Sequence, residues 1–392
     1  MSIINPKNEE DIENIRKKVI KALGSIKKID KDTQADDNFL FNAELALSCN
    51  QLPPYYLLYF LFVDLLGFKN LGQFEKVAWS IPFDYKGRAY LLEHQKFGVC
   101  LLSHNPTKEK KEINEILENI NNAIKIANPF FRYMAQLNLK SDKINVKNCS
   151  QLLYSRYKYF LKKYKRCQKK LELEEQKPPT IKKIGNCTQI SYNNVHLYKH
   201  KRLYLFFALL ESFFSWTEHV FVLLAVINGE FNTGQDVITF IKKGWAEKYK
   251  KAISINENEN LYNELLEIKK LRNYITHGDF ESEGKTFYFH SGAGAVPIYL
   301  NEKGNNLVAS YENKNIEHIE KITLPIIESF IKLLWSGERK NAKILIQEYG
   351  FDLILSYSTI GKYKKIIKNK KTTLEFAEEM CWEIDRAANM DF

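Results

Sequence analysis

Arginine is scarce in this chain. There are 9 arginines among 392 residues, against 49 lysines. The net charge of +11 is therefore a lysine charge. It is accompanied by abundant Asn and Ile, a mixture that codon bias yields without any nucleic-acid partner, so the charge permits RNA binding without demanding it. The six cysteines (49, 100, 149, 167, 187 and 381) are scattered, with no two at metal-knuckle spacing. Such spacing excludes a zinc knuckle and a disulfide framework, and no metal or other cofactor is expected. Uninterrupted apolar runs of membrane-spanning length are also missing. Asp64 breaks the run from Leu52 to Phe68, and Glu211, Glu218 and His219 break the run from Leu203 to Ile227. The charged N-terminus lacks the apolar core of a signal peptide. These absences predict a cytoplasmic protein without membrane contact.

What the chain does have is core-forming material. Hydrophobic residues make up 45% and aromatics 13%, enough to fill the cores of two domains at this length. Helical spacing marks Asn8–Lys28, where Ile12, Ile15, Val19, Ile20, Leu23 and Ile26 recur and acidic residues fill the first turn. Further helices are predicted over Phe39–Cys49 and Tyr55–Leu66. Three β-rich runs follow, Val77–Phe83, Arg88–Glu93 and Phe97–Leu102, reading as a small antiparallel sheet. A long helix is predicted from Thr107, as its cap, to Ala127, ended by Pro129. Ser150–Lys170 is basic and rich in tyrosine. Its Arg156, Lys158, Lys162, Lys163, Lys165 and Arg166 can line an RNA backbone or simply face water. Glu174–Gly185, containing Pro178-Pro179, is the expected domain boundary, giving domains over 1–175 and 190–392.

The second half opens on the most apolar helix, His200–Asn228. Its polar residues Glu211, Ser215, Glu218 and His219 fall at i, i+4, i+7 and i+8, on one face. That pattern predicts a helix buried on most sides, with one stripe turned to a site or to water. Helices are predicted next over Gln235–Lys251 and Asn260–His277, then a hairpin (Thr286–His290 and Val296–Leu300), and a helix over Asn315–Ser336. Ile344–Tyr357 reads ambiguously, and a helix capped by Thr373 runs to Asn389.

The stretch that carries chemistry is Leu271-Arg272-Asn273-Tyr274-Ile275-Thr276-His277-Gly278. A guanidinium can hold a phosphate through two parallel N–H groups, and an imidazole exchanges protons near neutral pH. Asn273 and His277 stand one turn apart on a helix and share a face, while the long Arg272 side chain can curl round to them. Arg88 and His94 have nearly the same spacing but lie in a predicted strand. Only the first pair has an apolar helical approach (Leu261, Leu265, Leu266, Ile268 and Leu271) and a glycine stop after the histidine.

Arg-Asn-x-x-x-His at the end of such a helix resembles the HEPN superfamily, whose ribonucleases carry this motif in a small helical bundle. The resemblance covers roughly Val195 to Gly337. It implies a C-terminal HEPN-like helical bundle, from which the hairpin after Gly278 departs as an insertion. With the α+β N-terminal domain read from the strand and helix patterns, the expected fold is mainly α with minor antiparallel β. The resemblance implies a metal-independent endoribonuclease, with Arg272 stabilising the phosphorane, His277 moving protons and Asn273 orienting the site. Family members pair two motifs across a homodimer, and often place an acidic residue from an early helix near the arginine. Glu211 and Glu218 are both candidates for that role. A toxin or anti-phage effector is the implied biological role, with an inhibitory partner or a phage-derived trigger. Two other functions stay open: a non-catalytic HEPN-like module binding RNA, nucleotide or a partner protein, and a metal-dependent DNA nuclease using Asp84, Glu93 and Lys96. In the latter, two residues rather than one separate Glu93 from Lys96, which puts the lysine on the wrong side of a strand.

Overall fold

The computed structural model describes residues 9–35, 38–178, 180–185, 187–191, 194–253, 255–277, 286–303, 306–310 and 316–391. The chain is mainly helical with small antiparallel sheets, as expected. It forms two compact units, Met1–Lys140 with Glu378–Phe392, and Ser141–Ala377. The elements used below are numbered in chain order.

The first unit is built on a five-stranded sheet. Its strands are β1 (Ile26–Lys27), β2 (Glu44–Leu47), β3 (Val77–Tyr85), β4 (Arg88–Gln95) and β5 (Gly98–Ser103), in the order β1–β3–β4–β5–β2. Lys86 and Gly87, both at positive φ (52° and 84°), make the two-residue turn between β3 and β4. Such a turn matches the twist of the strands it joins. Alternation then sorts the side chains. Ile81, Phe83, Tyr85, Tyr90, Leu92, Val99 and Leu101 enter the main core with helices α1 (Glu9–Leu23) and α2 (Lys110–Leu139). Leu91, Cys100 and Leu102 make a smaller cluster with Phe39.

Several elements differ from expectation. The helix expected over Phe39–Cys49 is a single turn, Phe39–Asn42, followed by β2, because β5 needs a partner along its edge. The Tyr55–Leu66 helix widens to a π-helix over Phe60–Leu65. Thr107 does not cap α2, which starts at Lys110 after Glu109. Pro129 does not end it either. An internal proline costs about 3 kcal/mol, but Ala123 and Ala127 before it and Phe130 after it are all buried in one core. Continuing the helix keeps that face covered.

The second unit is a helical bundle: α3 (Ser150–Glu175), α4 (Val195–Ile227), α5 (Gly234–Ile241), α6 (Trp245–Ala252), α7 (Glu259–His277) and α8 (Ile316–Leu334). The rings of Tyr154 and Tyr157 meet Trp216 at 4.7 and 6.0 Å, and Tyr164 meets Phe206 at 6.0 Å. Helices α3 and α4 therefore run antiparallel. The stretch expected to be a domain boundary is instead the start of their connection, a hairpin of β6 (Thr180–Ile184) and β7 (Cys187–Ser191), and it lies inside the second unit. The cause is α3 itself. Tyr157, Tyr164 and Leu171 recur every seven residues and are buried, so this basic helix belongs to the bundle core.

Helix α4 is the axis of that core. From Phe206 to Ile227, 16 of the 22 residues are buried, and Phe221 meets Trp245, Tyr249 and Phe330 edge-on. It is long and apolar enough to cross a membrane, but 78% of its most apolar window is buried within the protein, the usual state of a core helix. The single helix expected over Gln235–Lys251 is two, α5 and α6, with Gly244 at the start of the second. The expected hairpin after α7 has a third strand: β8 (Thr286–Ser291), β9 (Gly294–Lys303) and β10 (Asn306–Ser310), in the order β10–β9–β8. The ambiguous Ile344–Tyr357 stretch resolves into a π-helix (Ile344–Tyr349), a two-residue strand (Leu353–Ile354) pairing with Asn145–Val146, and the short helix Leu355–Thr359. Thr373 lies inside the last helix, Lys370–Asn389, not at its cap.

Candidate active site

The polar stripe of α4 lines a cleft. Glu211, Ser215, Glu218 and His219 all border an open cleft of about 870 Å³ in the second unit. Leu153, Arg156 and Phe160 of α3 form one wall, and Lys248 of α6 and Arg272 of α7 enter from other sides. Four cations, Lys147, Arg156, Lys248 and Arg272, face two carboxylates, Glu211 and Glu218. The cleft is net positive when His219 is neutral.

Arg272 reaches it because α7 is anchored by Leu261, Leu265 and Ile268, buried at the spacing expected for its apolar approach. The guanidinium is held on two sides. Its Nε lies 2.9 Å from Oε1 of Glu211, and its Nη2 donates to Oε2 at 3.0 Å. Its Nη1 donates to Oδ1 of Asn273 at 3.0 Å. Of the two glutamates weighed as its partner, Glu211 is the one that binds it. One charge-assisted hydrogen bond to Glu211, the close approach of Nε to the same carboxylate and the bond to Asn273 together restrain the guanidinium. The backbone of His277 is the last residue of α7. Its side chain, and Gly278, lie outside the described residues.

The other end of the cleft is built around a buried lysine. Lys248 is 2% exposed and forms an ion pair with Glu218. Beside it, Nε2 of His219 accepts a hydrogen bond from the backbone N–H of Cys149 at 2.9 Å. An accepting Nε2 is unprotonated, and burial lowers the His219 pKa from its usual value, so the ring is neutral near pH 7. Sequence reasoning missed Lys248. The signal was present in α6, where Lys248 stands three residues after Trp245 and four before Ala252, a charged residue on an otherwise apolar stripe.

The remaining candidates separate. Arg88 and His94 occupy opposite ends of β4, about 20 Å apart along an extended strand. Arg88 donates to Glu112 at 2.6 Å, and His94 stacks on Tyr55 at 4.2 Å. Asp84 pairs across the hairpin with Ala89, whereas Glu93 pairs with Ser80, four positions along β3. Each serves locally: Asp84 accepts from Gly87 N at 3.0 Å, Glu93 from Ser80 Oγ at 2.9 Å, and Lys96 donates to Asn389 Oδ1 at 2.9 Å. The hairpin does not gather these three. No cluster of three metal-ligating side chains is found among the described residues. On α3, Arg156, Lys158, Lys162, Lys163, Lys165 and Arg166 are all exposed, and Lys165 pairs with Glu328 at 3.5 Å. Only Arg156 of the six lines the Arg272 cleft.

No family model, curated relative or solved structure matches this chain.

Proposed function

We propose that this chain is a metal-independent endoribonuclease of the HEPN type, with Arg272 and His277 as its reacting pair. The observation that carries the proposal is the Glu211–Arg272 clamp: a guanidinium restrained at the wall of a cationic cleft, on a helix that ends five residues later in a histidine. In the reaction the 2′-oxygen of a ribose loses its proton to a base and attacks the adjacent phosphorus. The bond to the 5′-oxygen breaks, and that oxygen takes a proton from an acid, leaving a 2′,3′-cyclic phosphate and a 5′-hydroxyl. Arg272 offsets the charge that grows on the phosphorus oxygens, a role for which a preorganised cation suits best. His277 serves the proton steps. One histidine cannot readily act as base and acid in the same turnover, so the proposal includes a homodimer in which two motifs form one composite site.

The proposed setting is the cytoplasm, with RNA as substrate and the activity serving toxin-like or anti-phage defence under the control of an inhibitor or a phage-derived trigger. The test is incubation of the purified full chain with total RNA, with and without a chelator. Cleavage that survives chelation, is lost in His277→Ala and Arg272→Ala, and leaves cyclic-phosphate ends is the expected result. Cleavage by either variant at the wild-type rate would overturn the assignment. Retention of RNA without cleavage would make the chain a binding module, and dependence on a divalent ion would overturn the metal-independent mechanism.

A further inference from the structure

Phe160 borders two cavities. One is the Arg272 cleft, and the other is a smaller cavity of about 390 Å³ in the groove between α3 and α4. Lys163, Arg166 and Lys170 of α3 and Lys201 of α4 line this second cavity, and among the described residues no carboxylate does. Among the described residues none of these four makes an ion pair, although their neighbours Lys165 and Lys199 do, at 3.5 and 3.7 Å. Lys163, Arg166 and Lys170 fall at i, i+3 and i+7, so they form one stripe of the helix. The sequence holds no acidic residue between Asp142 and Glu172, so α3 carries no carboxylate until its last turn, where Glu174 and Glu175 pair with Lys177 and Lys199. Aromatic surface lies among the cations: Phe160 is half-buried, and Tyr159, which also lines the groove, is 55% exposed under the ammonium of Lys163.

We propose that the α3–α4 groove binds single-stranded RNA and leads it past Phe160 into the Arg272 cleft. Its direction rests on the ribonuclease reading of that cleft, while the binding itself does not. Cations spaced along a groove suit a phosphate backbone, and aromatic rings beside them can stack on unpaired bases. In a duplex the bases are already stacked on one another, so those rings would have no role. From Arg156 in the cleft to Lys170 the helix rises about 21 Å, enough for about four nucleotides, the lower end of single-strand site sizes.

The test uses the full chain and a labelled twelve-nucleotide RNA, followed by fluorescence anisotropy across a salt series. The variant K163Q/R166Q/K170Q should bind at least tenfold more weakly. The slope of log affinity against log salt should fall by about 2, at about 0.7 per lost phosphate contact. The variant K158Q/K162Q/K169Q removes the same charge from α3 outside the groove and should shift affinity less than threefold. Phe160→Leu should weaken binding about fivefold or more with the salt slope unchanged. Unchanged binding in the groove variant, an equal loss in the control variant, or equal affinity for a blunt duplex would each overturn the proposal. A chain that binds through the groove yet never cleaves would sink the ribonuclease reading alone. A chain that cleaves but ignores the three groove cations would sink this inference alone.

Discussion

Glu218 stands seven residues beyond Glu211 on the same face of α4, and each carboxylate holds a cation from a different helix. Glu211 binds Arg272 of α7, and Glu218 binds Lys248 of α6. Seven residues are two turns, or about 10.5 Å of rise. The cleft thus has two charged ends that share one supporting helix, and their exposures differ. Lys248 is buried, whereas the Arg272 side chain is 26% exposed. Solvent therefore reaches the Arg272 end more readily than the Lys248 ammonium.

Removing the clamp at the exposed end should impair function more than folding. Glu211→Gln keeps the shape of the side chain but loses the charge that orients Arg272, and should lower RNA cleavage about tenfold. Arg272→Lys keeps a charge without the planar fork and should lower it about a hundredfold, in the range found for losing one transition-state donor. Initial rates on a defined RNA would measure both, with melting temperatures within a few degrees of wild type. A loss of cleavage that tracks a loss of stability would mean the pair is only structural.

At the buried end the order should reverse. Glu218→Ala leaves the Lys248 ammonium without its partner and should cost about 2–3 kcal/mol, below the largest losses seen for buried pairs because the Glu218 side chain is 40% exposed. Lys248→Met removes the charge while keeping an apolar stem of similar length, and should be close to neutral. Urea unfolding of the two variants would check this. Equal destabilisation by both would show that the pair's net attraction, rather than the stranded charge, sets the cost.

His219 should make folding sensitive to acid. Its folded pKa lies below the ordinary 6.5 because burial disfavours the imidazolium. The unfolded chain therefore takes up the proton more readily, so stability is complete above about pH 6.5 and is lost as the pH falls through the folded value. Protonation would also break the acceptance from Cys149 N–H. His219→Gln offers an amide oxygen to the same N–H and cannot titrate there. It should show a smaller loss of stability than wild type between pH 7.5 and 5.5 in thermal melts. Parallel curves for the two proteins would remove His219 from the account.

Fragment boundaries follow from α3. A piece starting at Val195 strips Tyr154, Tyr157 and Tyr164 from Trp216, Phe213 and Phe206. It should aggregate, or melt without a cooperative transition. A piece spanning Ser141–Ala377 keeps those contacts and should fold. Circular dichroism melts of both would decide it, and a cooperative melt of the shorter one would show that α3 is dispensable. For the full chain, sedimentation should report about twice the 46.0 kDa chain mass if the composite site forms. The contact that joins two copies must lie elsewhere than on the apolar length of α4, because the bundle already buries most of that helix from Phe206 onward.

The sequence by itself determined which faces are apolar. The spacing of Leu261, Leu265 and Ile268 placed α7 against a core, the α4 stripe marked the one face of that helix left out of the core, and alternation drew the central three strands of the sheet. Each is a property of one element, legible because helices and strands repeat with their own periods. Only the tertiary structure decided what covers each face. Choosing Glu211 over Glu218 for Arg272 depended on how α7 crosses α4, since both carboxylates share one stripe and differ only in height along it. Assigning α3 to the bundle depended on rings 42 to 62 residues apart meeting Tyr154, Tyr157 and Tyr164. Burying Lys248 depended on α6 docking where Glu218 could receive it. Periodicity records which side of an element avoids water. The partner on that side is set by how the connections close and how side chains of distant elements fill the same space, and no single stretch of sequence carries that.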